Sequence, residues 1–192
     1  CRPMSKTTLA TLILAATITI TSCNKAPQEK EEKTMEENVL LQEWTGPFGG
    51  VPAFDKMKLE DVKPAMLRGM ELHLAEIDAI TSNEEAPNFE NTIAAMERAG
   101  QELNRVYSYY GILSANMSSP EFRKVKTELS PLLSEYSTKI TQNEALFTRI
   151  KAVYEVSQTT PLEAEQQRVV DFIYKNFEMN GAELDADKKA AY

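Results

Sequence analysis

Ser119-Pro120-Glu121-Phe122-Arg123-Lys124-Val125-Lys126-Thr127-Glu128-Leu129-Ser130-Pro131-Leu132-Leu133-Ser134-Glu135-Tyr136-Ser137-Thr138-Lys139-Ile140 begins with a capping serine, a proline suited to a first helical turn, and an acid where the helix dipole favours negative charge. Behind that start, Phe122, Val125, Leu129, Leu132, Leu133, Tyr136 and Ile140 recur at three- and four-residue spacing, which makes one side apolar and the other charged. The segment reads as a helix laid on a core. Pro131 is expected to kink it, because proline removes one backbone bond.

The same pattern repeats on both sides. Pro64 suits a first turn, and Leu67, Met70, Leu74 and Ile77 follow at helical spacing, predicting a helix to Thr81 or Ser82. Asn88 is a natural N-cap for a longer helix with the stripe Phe89, Ile93, Met96, Gly100, Leu103, Tyr107 and Tyr110, whose heptad-like spacing implies an antiparallel helical neighbour. Asn143 opens a helix through Leu146, Phe147, Ile150 and Tyr154. Thr160-Pro161, with Glu163 at the capping-box position, starts another through Val169, Val170, Ile173 and Phe177, with Gly181 as its stop. Ala186 to Tyr192 begins one more helix whose few apolar residues need a partner not given, so Tyr192 is read as a break in a longer chain. Five helices without an alternating strand pattern predict an all-α fold, an antiparallel helical array.

With 192 residues and 42% apolar composition, the chain can bury one sizeable core. Its 29 acidic and 21 basic residues give a net charge of -8, and removing the leader residues Arg2 and Lys6 takes the remainder to -10. That balance argues against binding a nucleic-acid backbone. A monomer is expected. Cys1 and Cys23 both lie at the N-terminal end, so neither a disulfide framework nor a cysteine-rich metal site can staple the helical part.

Ahead of the helices, residues 1–22 have the order of an export signal. Arg2 and Lys6 precede the apolar run Leu9 to Ile20, and Thr21-Ser22 stand directly before Cys23. The run falls short of the ~20 apolar residues that a membrane span needs. Ile20-Thr21-Ser22-Cys23 resembles a bacterial lipobox, which makes Cys23 the expected site of lipid attachment and the first residue of a mature, envelope-anchored protein facing the periplasm or the outer surface. Residues 23–38 are polar and rich in Glu and Lys, a composition that suits a tether. Residues 39–57 carry the single Trp and several turn formers, and read as an irregular strap packed by Trp44, Phe48 and Phe54. Residues 58–192 form the helical domain.

Chemistry-bearing patterns are sparse. His73 is the single histidine, so no His-Glu-x-x-His zinc helix can be present, and its neighbours Leu72, Leu74 and Ile77 favour a structural role. No nucleophile elbow or dinucleotide glycine pattern occurs. Gly46-Pro47-Phe48-Gly49-Gly50 lacks the Lys-Ser/Thr of a phosphate loop and reads as a turn. The acid pairs Glu31-Glu32, Glu36-Glu37 and Glu84-Glu85 fall in polar segments, where carboxylates are solvated rather than tuned for acid or base work. Tyr107, Tyr109 and Tyr110 must point in different directions from one helix. Aromatic packing is the leading reading, with one of them facing a cleft as the other. No residue of this chain is assigned to catalysis, a cofactor or a metal.

The run Leu41-Gln42-Glu43-Trp44-Thr45-Gly46-Pro47-Phe48-Gly49-Gly50-Val51-Pro52-Ala53-Phe54-Asp55, then Val62-Lys63-Pro64-Ala65, then Glu85-Ala86-Pro87-Asn88-Phe89-Glu90-Asn91-Thr92-Ile93-Ala94-Ala95-Met96-Glu97, then Ser114-Ala115-Asn116 with Pro120-Glu121, resembles the opening of bacterial peptidyl-dipeptidases of the thimet oligopeptidase family. That resemblance covers about residues 39–192 and implies the N-terminal part of a large helical zinc peptidase acting on short peptides, one that walls a channel and limits substrate size. In such enzymes the zinc is held by a His-Glu-x-x-His helix and a further glutamate, and activates a water that attacks the peptide carbonyl with the motif glutamate as base. None of those ligands has a counterpart here, so the parent is expected to bind zinc and this chain none. The alternative is a complete, non-catalytic helical lipoprotein that serves as a binding module. Coding DNA beyond Tyr192 discriminates the two: a His-Glu-x-x-His pattern supports the peptidase, and an immediate stop codon supports the module.

Overall fold

A computed structural model describes residues 38–182, the Phe48 side chain excepted. The export leader, Cys23, the tether as far as Glu37, and the helix expected from Ala186 lie outside the described residues. Within them the fold is all-α. The helices are α1 (Val62–Thr81), a π-helical turn (Phe89–Ala94) leading into the short α2 (Ala95–Arg98), α3 (Gln101–Asn116), α4 (Pro120–Thr141), α5 (Glu144–Thr159) and α6 (Ala164–Met179).

Helix α1 belongs to two cores at once. Val62, Ala65, Met66 and Met70 pack with Leu103, Val106, Tyr109 and Leu113 of α3 and with Phe122 and Leu129 of α4. Two turns further on, Ile77 and Ile80 pack with Ile93, with Leu146, Ile150 and Val153 of α5, and with Val170, Ile173 and Phe177 of α6. The crossing partners fix direction. Gly69 lies against Leu103 and His73 against Gly100, so α3 runs antiparallel to α1. Lys63 meets Glu128 and His73 meets Tyr136, so α4 runs parallel to it.

Gly69 permits the close approach of α1 and α3. A Cβ there would lie 3.0 Å from the Leu103 Cα, a backbone atom that cannot swing aside. The buried face of α1 is therefore rotated from the one its spacing suggests. Leu67, expected inside, is 38% exposed, while Ala65, Met66 and Gly69 are buried.

The long helix expected from Asn88 is broken in two. Ala99 is extended and Gly100 takes a left-handed φ of 74°, so a stripe that counts Gly100 as an apolar position runs through a turn. The stripe also misplaces Tyr107, which is exposed, whereas Tyr109 is wholly buried. Thr160-Pro161 is a second correction. Thr160 ends α5 by donating its N–H to the Val156 carbonyl, and α6 starts at Ala164 behind Glu163, which makes no side-chain cap. At Pro131 α4 continues unbroken with the proline on its exposed side, so the carbonyl that loses its helical donor does so without disturbing the core.

Elsewhere local chemistry holds. Ser119 Oγ accepts from Phe122 N at 3.1 Å, and Asn143 Oδ1 accepts from Leu146 N at 2.9 Å. Gly181, at φ 79°, ends α6 with bonds from Gly181 N to Glu178 O and from Ala182 N to Phe177 O, which satisfy carbonyls left over at the helix end.

The segment Asn88-Phe89-Glu90-Asn91 is a hydrogen-bond hub. Asn88 Oδ1 accepts from Asn91 N and Asn91 Oδ1 accepts from Asn88 N, both at 2.9 Å, a capping box built from two asparagines. Asn91 Oδ1 also receives the Thr92 hydroxyl and the Arg149 guanidinium at 3.1 Å. Arg149 is itself buried in α5 and donates further to the carbonyls of Asn83 at 2.8 Å and Glu85 at 3.3 Å. A single buried cation thereby fastens the loop between α1 and the π-turn to α5. Replacing Arg149 by Met roughly keeps the volume but takes the donor from the Asn83 and Glu85 carbonyls and one of three donors from Asn91 Oδ1, and is expected to cost about 2–4 kcal/mol. A lower midpoint in urea with an unchanged slope is the measurement; an unchanged midpoint rejects the clamp.

Candidate functional site

A second group of polar side chains gathers where α1, α3 and α4 meet. Gly100, at the break before α3, donates its N–H to the Glu76 carboxylate at 2.6 Å. The His73 ring lies over the same glycine. A Cβ on Gly100 would stand 3.2 Å from the ring Cγ and Nδ1, and the left-handed φ adds strain to any larger residue. From α4 the Tyr136 hydroxyl shares a hydrogen bond with His73 Nδ1, with ring centroids 5.9 Å apart. Tyr107 and Tyr110 extend the cluster along α3 as an edge-to-face pair with centroids 6.3 Å apart, and Tyr110 leans edge-on against Phe122 at 5.5 Å.

The electrostatics of this cluster suit a fixed wall better than a proton-transfer device. Burial lowers the His73 pKa, an effect that Glu76 partly opposes, so the imidazole is neutral near pH 7. Burial, then the neighbouring Tyr107 and Glu76, push the Tyr136 phenol well above its ordinary range. Burial also raises Tyr107, with Tyr110 adding to it, and raises Tyr110. Every hydroxyl in the cluster stays protonated. Nothing here pairs a nucleophile with a base and an orienting group.

The three neighbouring tyrosines divide as their directions require. Tyr109 points into the core and its hydroxyl accepts from Ala53 N at 2.7 Å, with Phe54 at 5.0 Å and Trp44 at 6.4 Å between centroids. It spikes the strap onto α3. Tyr107 and Tyr110 face outward with the His73 cluster. Between strap and α3 lies a groove of about 390 Å³ bordered by Glu43, Trp44, Asn104, Arg105 and Ser108. Arg105 closes one side of it by donating to the Leu41 carbonyl at 3.0 Å and to Glu102 at 3.1 Å. The glycine-rich turn beside it is structural, as its sequence suggests. Pro47–Gly49 forms a 3₁₀ turn, and a Cβ on Gly50 would collide with the Trp44 backbone at 2.5 Å.

Zinc, which the family resemblance implies for the parent, finds no donor set among the described residues. No three His, Cys, Asp or Glu side chains converge there, and His73 is occupied by Tyr136. These residues do not fit a metal, and no chemical step is assigned to them. Cys23, the expected lipid site, lies outside the described residues. The sequence reading flagged His73 and the tyrosines but missed Glu76, Tyr136 as the partner of His73, and Arg149. Gly100 was the available clue, since an isolated glycine within a helical pattern marks a break or a close approach.

A lowered His73 pKa has a defined consequence for stability. Above about pH 6.5 the imidazole is neutral in both the folded and unfolded states and contributes no pH dependence. As pH falls below that value the unfolded chain takes up the proton first, so stability declines until the folded pKa is passed. The urea midpoint should therefore drop between pH 7.5 and pH 5.5 in the wild type, and His73→Gln should flatten that part of the profile. Identical slopes in the two proteins would show that His73 is not coupled to folding.

Comparison with known proteins agrees with this geometry. Residues 64–189 match the family model described as the Neurolysin/Thimet oligopeptidase N-terminal domain. A dipeptidyl carboxypeptidase of Salmonella typhimurium is 34% identical over 81% of this chain and 23% of its own length, and that of Escherichia coli is 36% identical over 79% and 22%. An oligopeptidase A of Salmonella typhimurium is 28% identical over 74% and 21%. The chain thus spans less than a quarter of the length of these relatives. With a domain match over more than half of its residues and the Asn88–Asn91 hub inside that match, the chain belongs to the neurolysin/thimet oligopeptidase family and carries its N-terminal domain.

Proposed function

We propose that this domain is the N-terminal wall of a longer zinc-dependent peptidyl-dipeptidase or oligopeptidase that hydrolyses short peptides in the bacterial cell envelope, held there as a monomer by a lipid on Cys23. The observation that carries the peptidase reading is the identity of 34–36% to two dipeptidyl carboxypeptidases across about four fifths of the chain. The geometry suits the supporting role. Two packed cores joined by one continuous helix make a stiff body, and its half-exposed tyrosines offer contact area without titrating near neutral pH. The zinc ligands and the attacking water are assigned to polypeptide other than these residues.

The reading is tested on two proteins. Purified alone, the 192-residue chain is expected to leave short peptides intact with or without added zinc. The longer protein that contains it should release C-terminal dipeptides or internal fragments, and a chelator should stop it until zinc is restored. Cleavage by the short chain, or a longer protein inert towards every short peptide, would overturn the assignment.

The anchor rests on the leader order and on Ile20-Thr21-Ser22-Cys23. No helix among the described residues is long and apolar enough to cross a membrane. Acyl chains on one cysteine give durable binding where a single chain would not. Cys23→Ser should move the protein from the envelope pellet to the soluble fraction, and unchanged partitioning removes the lipid from the proposal.

A further inference from the structure

The cations of this acidic chain are unevenly used. Lys63, Arg68, Arg98, Arg105 and Lys139 each meet a carboxylate within ion-pair distance. Arg123, Lys124 and Lys126, in the first two turns of α4, have no such partner among the described residues. Lys126 instead donates to the Ser114 hydroxyl at 2.9 Å. The acids that feel their charge are Glu121, two residues before Arg123, and Glu128, which Lys63 already holds at 2.7 Å. Arg123 and Lys126, with Ser118 and Ser130, border a cleft of about 580 Å³. The turn from α3 to α4, just before them in the chain, carries Met117, which is 60% exposed.

That turn lies near the place where the N-terminal segment joins the folded body. Asn38 is fastened by donating to the Asp61 carbonyl at 3.0 Å while its Oδ1 accepts from Leu40 N, and Leu40 is wholly buried beside Val62. The chain thus arrives at the start of α1. The Lys63–Glu128 pair places that point eight residues along α4, about 12 Å from the first residue of the helix. From Asn38 back to Cys23 is fifteen residues, which can span at most about 50 Å. A lipid on Cys23 would hold this end of the molecule close to the bilayer.

We propose that the α3–α4 tip, Met117 backed by Arg123, Lys124 and Lys126, rests on an anionic phospholipid surface and fixes the orientation of the domain on its membrane. The exposed methionine enters the headgroup boundary, and the three unpaired cations meet lipid phosphates, in a chain whose net charge would otherwise be repelled. This rests on the lipid-anchored reading above. It adds a face and a lipid class to that reading.

The test supplies the anchor chemically, so that it stands whether or not cells acylate Cys23. A chain starting at Cys23 retains both cores, since every residue forming them lies between Leu40 and Ala182. Its thiol is coupled to a maleimide lipid in vesicles. In a Trp44→Phe, Met117→Trp variant, the single indole is expected to be quenched by brominated phosphatidylglycerol and not by brominated phosphatidylcholine. Each cation is worth a few-fold in surface binding, so reversing all three to Glu should lower the quenched population at least about tenfold, as should high salt. Arg168→Glu with Lys175→Glu on α6 should change nothing. Should the doubly substituted variant fold poorly, slower hydrogen exchange of residues 117–130 in the tethered wild-type chain on phosphatidylglycerol gives the same readout. Equal signals on the two lipids, no signal on either, or indifference to the triple reversal overturns the proposal. So does self-association in solution that the triple reversal abolishes, because the tip would then contact a second copy. If only the Cys23→Ser fractionation fails, the natural anchor is lost and the lipid-facing tip stands on its own measurement.

Discussion

The crossing of α1 and α3 depends on two glycines, one on each side. Gly69 lets the Leu103 backbone come as near as a Cβ would, and Gly100 leaves room for the His73 ring while turning the chain through a left-handed conformation. Everything else is referred to that contact. Because α3 can lie close, Val106 and Tyr109 reach the first core, Tyr109 can take the strap's Ala53 N–H, and α4 can return parallel to α1 with Tyr136 against His73. The remaining half of α1 is free to enter the second core. A single helix of 20 residues thereby makes one body of two apolar clusters that would each be small alone.

The second core is fastened differently. Its boundary with the α1 to π-turn loop is polar, and the loop is irregular enough that its carbonyls have few backbone donors. Arg149 supplies them from inside, and Asn91 receives from Asn88, Thr92 and Arg149 on one oxygen. A buried guanidinium without a carboxylate is acceptable here because carbonyl and amide oxygens surround it, although its Nε is left without a partner. The family-like run Pro87-Asn88-Phe89-Glu90-Asn91-Thr92 has its physical content in this network. Substrate contact is not needed to explain it.

The cluster around His73 belongs to the framework for the same kind of reason. A neutral imidazole, protonated phenols and a carboxylate spent on a backbone N–H hold three helices in register and offer no group ready to exchange a proton. The cluster is suited to holding a shape. Over the whole chain acids outnumber bases, 29 to 21, and three cations without an ion-pair partner among the described residues, Arg123, Lys124 and Lys126, sit near the end where the N-terminal segment joins the fold.

How much of this the residues announced depends on the range of the forces involved. Helix starts at Ser119 and Asn143, the stop at Gly181 and the turn at Gly46 to Gly50 are settled by groups a few residues apart, and local chemistry is enough to read them. The all-α class follows from the 3.6-residue spacing, and the family resemblance from the ordered motifs. Where two local choices compete, distant contacts decide. Gly100 reads equally as a stripe position or a break until His73 and Glu76 are seen to require the break. Thr160-Pro161 reads as a helix start until Thr160 is found closing α5. Leu67 and Met66 differ only in which side of α1 meets α3, and that rotation is set by Gly69 against Leu103. Arg149 gave no pattern at all, because its three acceptors lie 58 to 66 residues away. By itself, then, the sequence determined class, caps and kinship, since those are written in neighbouring residues. Only the tertiary structure decided which faces are buried and which cations go unpaired, because steric fit and charge pairing exist between residues far apart in the chain.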